Sequence, residues 1–160
     1  MDIRNPISDY ETREKVVMDP TEYIEQEDSS REPPHHFHIS WEGHKKYSVL
    51  TVLSPSAMKS ALKKSGGGKK IKGGGVDPRL PRTMEGEDSE SWVPMMAVEC
   101  RGIEPYAFHF MGGEWIVESE GGGVFEGEDV DLSEGDWADY DAENDVAVTV
   151  SEVETKFESV

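Results

Sequence analysis

The run His36-Phe37-His38-Ile39-Ser40-Trp41 alternates polar and apolar positions, which sets Phe37, Ile39 and Trp41 on one face of a strand. A turn at Glu42-Gly43 leads to a second strand candidate, residues 47–53, rich in β-branched residues. From Trp92 the pattern sharpens. Met96, Val98 and Cys100 share a face, with Pro94 near the strand start where a lost ladder donor is tolerated. Gly102 predicts a turn, after which Tyr106, Phe108 and Phe110 alternate with Ala107, His109 and Met111. Gly112-Gly113 reads as a hairpin turn into residues 114–117, and Gly121-Gly122-Gly123 breaks the chain again before Val124-Phe125. Near the end, Val146, Val148 and Val150 share one face, whereas Val153, Thr155 and Phe157 follow in the opposite parity. A strand of period two keeps both triplets inward only by inserting a residue, so a bulge is expected at Ser151-Glu152.

Elsewhere the pattern fades. Residues 1–34 are polar and acidic with scattered apolar positions, and they predict a flexible arm, with a short helix or strand near residues 14–18 as the alternative. Residues 35–64 read as an irregular β half. Residues 65–91 read as a linker: two triple-glycine blocks around Lys69-Lys70-Ile71-Lys72 offer almost nothing to bury, and an acidic stretch follows. Residues 92–160 form the well-patterned β half.

Composition agrees with a partly unpacked chain. The hydrophobic fraction is 35% of 160 residues, and mean hydropathy is -0.64. The net charge of -18 is unevenly placed. Residues 41–82 carry ten of the sixteen Lys and Arg, while residues 83–160 carry only Arg101 and Lys156. Such an acidic body repels nucleic acid and anionic membranes. One cysteine permits no intramolecular disulfide, the first residues lack the apolar core of a secretory signal, and no apolar run approaches membrane-spanning length. A cytoplasmic protein, with nuclear entry left open, is the expectation.

Two motifs carry a resemblance. Glu99-Cys100-Arg101-Gly102-Ile103-Glu104-Pro105, and then Asp131-Leu132-Ser133-Glu134-Gly135-Asp136-Trp137-Ala138-Asp139-Tyr140-Asp141, resemble the C-terminal half of the eukaryotic CXXC motif-containing zinc-binding protein family. The likeness covers residues 92–160. It implies a mostly β fold of two similar halves, with zinc held by two CxxC pairs in the N-terminal half. The segment Pro33 to Trp41 is similar to the family stretch before its first CxxC, but the chain then reads His44-Lys45-Lys46-Tyr47-Ser48. The second pair would fall where the glycine-lysine tract stands. Tetrahedral zinc in such sites takes thiolate donors, so no zinc is expected here. Divergence, or a middle segment read from another frame or an intron, both account for the loss; the abrupt basic insert leans towards the second.

The candidate chemistry is sparse. His35, His36, His38 and His44 form the one metal-like cluster; in a strand His36 and His38 point the same way and would chelate a divalent ion weakly. An edge strand's polar face is the plainer reading. Cys100 beside Arg101 suggests an activated thiol, yet its parity with Met96 and Val98 favours a buried small hydrophobe. The acidic run 126–145 fails the EF-hand rule, since the sixth residue is Glu134 counted from Asp129 and Asn144 counted from Asp139. A solvated turn anchored by Trp137 and Tyr140 is expected instead. Gly68-Lys69-Lys70 lacks the hydroxyl residue of a P-loop.

The resulting expectation is a mostly antiparallel β protein, in sandwich or barrel-like halves with the N-terminal half degenerate. It is expected to be a monomeric, non-enzymatic binding or scaffold protein whose partner is a protein with a basic surface, without specific nucleic acid or membrane binding. The N-terminal half would rely on Phe37, Ile39 and Trp41 packing on the C-terminal sheet. Two alternatives are a metal-handling protein using the histidine cluster, and an enzyme with an acidic cleft near Glu104, His109 and Glu114.

Overall fold

The computed structural model describes residues 1–24, 33–64, 77–111 and 115–160. Among the described residues ten strands and one α-helix follow in order: β1 (Asp2–Arg4), β2 (Thr12–Arg13), β3 (Phe37–Ile39), β4 (Ser48–Val52), α1 (Pro55–Lys64), β5 (Val98–Arg101), β6 (Glu104–Ala107), β7 (Ile116–Glu118), β8 (Val124–Glu126), β9 (Trp137–Asp141) and β10 (Val146–Val150). The protein is mostly β, in several small antiparallel sheets. It divides into two compact units. The N-terminal unit is Arg4–Glu104 with Glu158–Val160, and the C-terminal unit is Met1–Ile3 with Pro105–Phe157.

In the N-terminal unit β3, β4 and β5 form one antiparallel sheet, with Phe37 opposite Leu50 and Leu50 opposite Cys100. Leu50 is fully buried. Since β5 completes this sheet, the boundary between the units falls at Glu104, downstream of the Trp92 boundary read from the apolar pattern. Trp41 lies just beyond β3, buried, and its indole N–H donates to the Gly102 carbonyl at 2.7 Å. Gly102 itself has φ +69°, and the Ser48 side chain occupies the space where a Cβ would stand. That is the physical content of the Cys100-Arg101-Gly102 turn: left-handed backbone is cheap only for glycine.

Residues 55–64 differ from the irregular β expectation: they are helical. The start is built from Ser54, whose hydroxyl accepts from the Ala57 N–H at 3.2 Å, and from Pro55 at the first helical position. Met58 and Leu62, four apart, bury one face against Leu80, with Leu53 and Ala97 alongside. Lys63 and Lys64 close the last turn, where cations suit the helix dipole. The cap was legible in sequence; the basic, glycine-rich surroundings hid it.

Residues 1–24 also differ from the flexible arm. They contribute β1 and β2, and Ile3 is fully buried while Asn5 and Val16 are nearly so. Glu11 ties the N-terminal unit here: it accepts from the Asn5 amide at 2.7 Å and from the Glu42 N–H at 2.8 Å. Strands of two or three residues leave too few positions for a period to register.

In the C-terminal unit β7 pairs with β8 and β9 with β10. The expected strand at 106–111 is shifted: β6 ends at Ala107, Tyr106 is exposed, and Phe108 and Phe110 are half-buried. Phe110 packs edge-on against both Phe108 and Trp115. The Gly112-Gly113 turn and Glu114 lie outside the described residues, as do the glycine-lysine tract 65–76 and residues 25–32 of the expected arm.

The phase slip at residue 151 is present. Val150 stands opposite Trp137, and the Val153 N–H donates to the Gly135 carbonyl at 3.0 Å, so Ser151 and Glu152 together face Asp136. Glu152 takes φ 54° and donates its N–H to the Asp136 carboxylate at 2.8 Å. Val146, Val148 and Val150, then Val153, Thr155 and Phe157, are all half-buried in their opposite parities. This is a bulge.

Gly102→Ala should therefore lower unfolding free energy by about 1–3 kcal/mol, from left-handed strain and the Ser48 overlap. A chemical denaturation midpoint unchanged from the parent would contradict the assignment.

Candidate functional site

The four histidines do not converge as one set. His35 and His36 are buried, His38 is half-buried and His44 is exposed. The pair expected to point the same way, His36 and His38, is not the pair in contact. His35 lies in a bridge with Ile24 ahead of β3, and its Nε2 meets His38 Nδ1 at 3.1 Å. His36 is occupied structurally. The Val52 N–H donates to its Nδ1 at 2.9 Å, so the proton sits on Nε2, which donates to the Pro20 carbonyl at 2.9 Å. Its ring also packs on Tyr23 at 4.3 Å between centroids. His38 packs on Tyr47 at 4.7 Å. His35 Nδ1 is the one buried side-chain nitrogen or oxygen without a hydrogen-bond partner among the described residues.

Among the described residues no group of three or more His, Cys, Asp or Glu side chains is placed to hold a metal. Two imidazole nitrogens are half a tetrahedral shell, and His36 has no free lone pair to add. Cys100 supplies no thiolate either. Burial first, and Glu99 second, push its thiol up to about 11. The neighbouring cation is diverted, because the Arg101 guanidinium binds Glu99 at 2.7 Å. Cys100 is half-buried in β5, the small-hydrophobe role its parity suggested.

Two of the three residues named for an acidic cleft have partners within their own units. Within the N-terminal unit Glu104 takes a two-point contact from Arg4, at 2.7 and 3.1 Å, and this partner holds its carboxyl below the ordinary value. Within the C-terminal unit His109 meets Asp2 at 2.8 Å. Glu114 lies outside the described residues.

The acidic motif of residues 131–141 is organised by a residue that sequence reasoning passed over. Tyr140 was expected to anchor the loop and is instead half-exposed; Asp141, next to it, is 5% exposed. Pleating explains the exchange, since Trp137, Asp139 and Asp141 share one parity and Tyr140 the other. The Asp141 carboxylate gathers four donors: the Ser119 hydroxyl at 2.5 Å, the Asn144 side-chain amide at 2.9 Å, and the Gly123 and Asn144 N–H groups at 3.1 Å each. Gly123 must be glycine here, because a Cβ would strike the carboxylate. Trp137 does anchor: it packs edge-on against Phe125 at 5.2 Å and donates to the Asp129 carbonyl at 2.7 Å. Val130 and Leu132, both buried, complete the inward face. Strand parity separates Asp141 from Tyr140 but not from Asp139, which shares its parity and is exposed, so nothing in the sequence singled out Asp141.

With this geometry in hand, the likeness to known proteins can be read. A family model described as CXXC motif containing zinc binding protein, eukaryotic, matches residues 1–158. A UPF0587 protein of Caenorhabditis elegans is 37% identical over 75 residues, 46% of this chain and 43% of that protein. The CXXC motif containing zinc binding protein of Homo sapiens is 37% identical over 71 residues, 44% of this chain and 43% of that one. The matched stretch thus spans less than half the length of these curated relatives. Among solved structures, a hypothetical protein from Plasmodium falciparum has TM-score 0.67 at 26% identity, covering 94% of this chain and 78% of its own. The crystal structure of C1orf123 has TM-score 0.64 at 18% identity, with 95% and 78% covered, a likeness of fold.

Two outcomes follow from the geometry. The Ser119 hydroxyl first, then the Asn144 side chain and the backbone amides, hold Asp141 below its ordinary 3.8. A depressed folded value stabilises the fold above the unfolded value and loses that effect as pH falls through the folded one. Asp141→Asn should therefore lower the melting temperature at pH 7 and flatten the parent's loss of stability below about pH 4; parallel pH profiles would contradict this. For Cys100, a rise from 9.0 to about 11 predicts alkylation by iodoacetamide at pH 7.5 about a hundredfold slower than a free thiol. A rate matching free cysteine would contradict the burial.

Proposed function

The chain belongs to the eukaryotic CXXC motif containing zinc binding protein family, and from that premise we propose a non-enzymatic binding protein that works without the family's tetracysteine zinc site. The single cysteine carries this reading: Cys100 stands in β5 with its thiol pushed up to about 11, and four thiolates cannot be assembled from one. Structure that a metal would otherwise supply comes from hydrogen bonding, through Trp41 to Gly102 and His36 to Val52 and Pro20 in one unit, and through Asp141 in the other.

The partner is a protein with a basic surface. Residues 115–160 hold fifteen carboxylates and Lys156 as the one Lys or Arg. That field attracts cations at long range and repels phosphate backbones and anionic lipid. The role is a scaffold in the cytoplasm, engaging its partner as a monomer. No helix among the described residues is long and apolar enough to cross a membrane.

One observation favours a second reading. The orphaned His35 Nδ1 and the short His35–His38 contact suit a protein that handles a divalent ion weakly.

Two measurements test the proposal together. Native mass spectrometry of the purified chain should give the metal-free mass, and titration with an oligolysine peptide should show binding that weakens steadily with salt while oligoglutamate does not bind. One zinc per chain, or indifference to both peptides, would refute it. Weak uptake of Zn²⁺ added to the chain purified metal-free, lost in His35→Ala/His38→Ala with oligolysine binding intact, would establish the second reading beside the first.

A further inference from the structure

The β7–β8 hairpin turns two faces to different surroundings. On the inner face Val117 and Phe125 stand opposite one another, half-buried, and Phe125 rests on Trp137. On the outer face Ile116 is paired with Glu126 and Glu118 with Val124. Ile116 is 70% exposed and Val124 59%, and both glutamates are exposed too. Four side chains thus form a checkerboard, apolar on one diagonal and acidic on the other.

The platform under them is fixed. The turn closes with Ser119 N–H to Gly123 carbonyl at 2.8 Å and Gly122 N–H to Ser119 carbonyl at 2.9 Å. Asp141 then holds Ser119 and Gly123 from below. A hairpin held this firmly presents its outer face at little further cost in conformational entropy, the condition that favours binding. Exposed β-branched residues singly are ordinary; here two are arranged diagonally on one rigid strand pair, interleaved with carboxylates.

We propose that this outer face is where the basic partner docks, through an extended segment of that protein that presents Lys or Arg and apolar residues in turn along one of its faces, at every second position. Charge complementarity selects the occupant. The cations answer Glu118 and Glu126, the apolar residues cover Ile116 and Val124, and the surrounding carboxylates exclude an acidic segment. The assignment rests on the basic-partner reading and adds its location.

The test uses the full chain and three synthetic nonapeptides with serine at every second position: Lys and Val taking turns at the other positions, Glu and Val taking turns there, and lysine alone there. Backbone and methyl NMR shifts should move at Ile116, Glu118, Val124 and Glu126 with the Lys-Val peptide and not with the Glu-Val peptide. Ile116→Thr/Val124→Thr should weaken the Lys-Val peptide about tenfold while leaving the lysine peptide unchanged, as loss of apolar cover predicts. Should that double variant unfold, Glu118→Gln/Glu126→Gln serves instead, with the same tenfold loss expected. Shifts spread along residues 128–145 with no response at the hairpin would overturn the location and leave the basic-partner reading intact. Hairpin shifts that grow with protein concentration alone would give the face to a second copy and overturn the proposal. No binding of either lysine-bearing peptide at low salt would end both readings.

Discussion

A buried carboxylate must be surrounded by donors, and around Asp141 that requirement arranges much of the C-terminal unit. One side chain at the end of β9 gathers a hydroxyl, an amide and two backbone N–H groups. It thereby joins the β7–β8 turn to the β9–β10 turn, both of which reach it. Unpartnered, such a charge would be costly to bury; fully partnered, it fixes geometry. Gly123 and Ser119 then follow as consequences, one giving room for the carboxylate and the other a proton to it.

The N-terminal unit meets the same demand with other groups. Trp41 closes on the Gly102 carbonyl, His36 bridges Val52 and Pro20, and Glu11 collects the Asn5 amide and the Glu42 N–H. Apolar burial is modest: Met58, Leu62 and Leu80 form one small cluster, and Leu50 fills the sheet. Each fully buried side chain of this kind contributes about 1.5–3 kcal/mol. On the proposed reading, hydrogen bonds and small apolar contacts carry the cross-linking that a metal centre would concentrate.

Legibility followed period and length. The phase slip after Val150 was readable to the residue, because a two-residue repeat cannot change phase without an insertion, and Glu152 supplies it, although the strand itself ends at Val150. Helix α1 carried a complete start signal in Ser54-Pro55, but composition on its far side drew attention away. Strands β1 and β2 were too short to show a period. At the candidate site, single-strand geometry misassigned the histidine pair, since His35 precedes β3 and escapes its alternation. Asp141 could not be told from its neighbours by residue type; only parity relative to Trp137 separates it from exposed Tyr140.

On the proposed reading, packing and hydrogen bonds hold this relative together with no contribution from bound zinc. Urea unfolding of the protein as purified, repeated after exhaustive treatment with a strong chelator and again with Zn²⁺ restored, tests it most directly. The account predicts three superimposable curves with one midpoint and one slope. A midpoint that drops with the chelator and recovers with Zn²⁺ would contradict it.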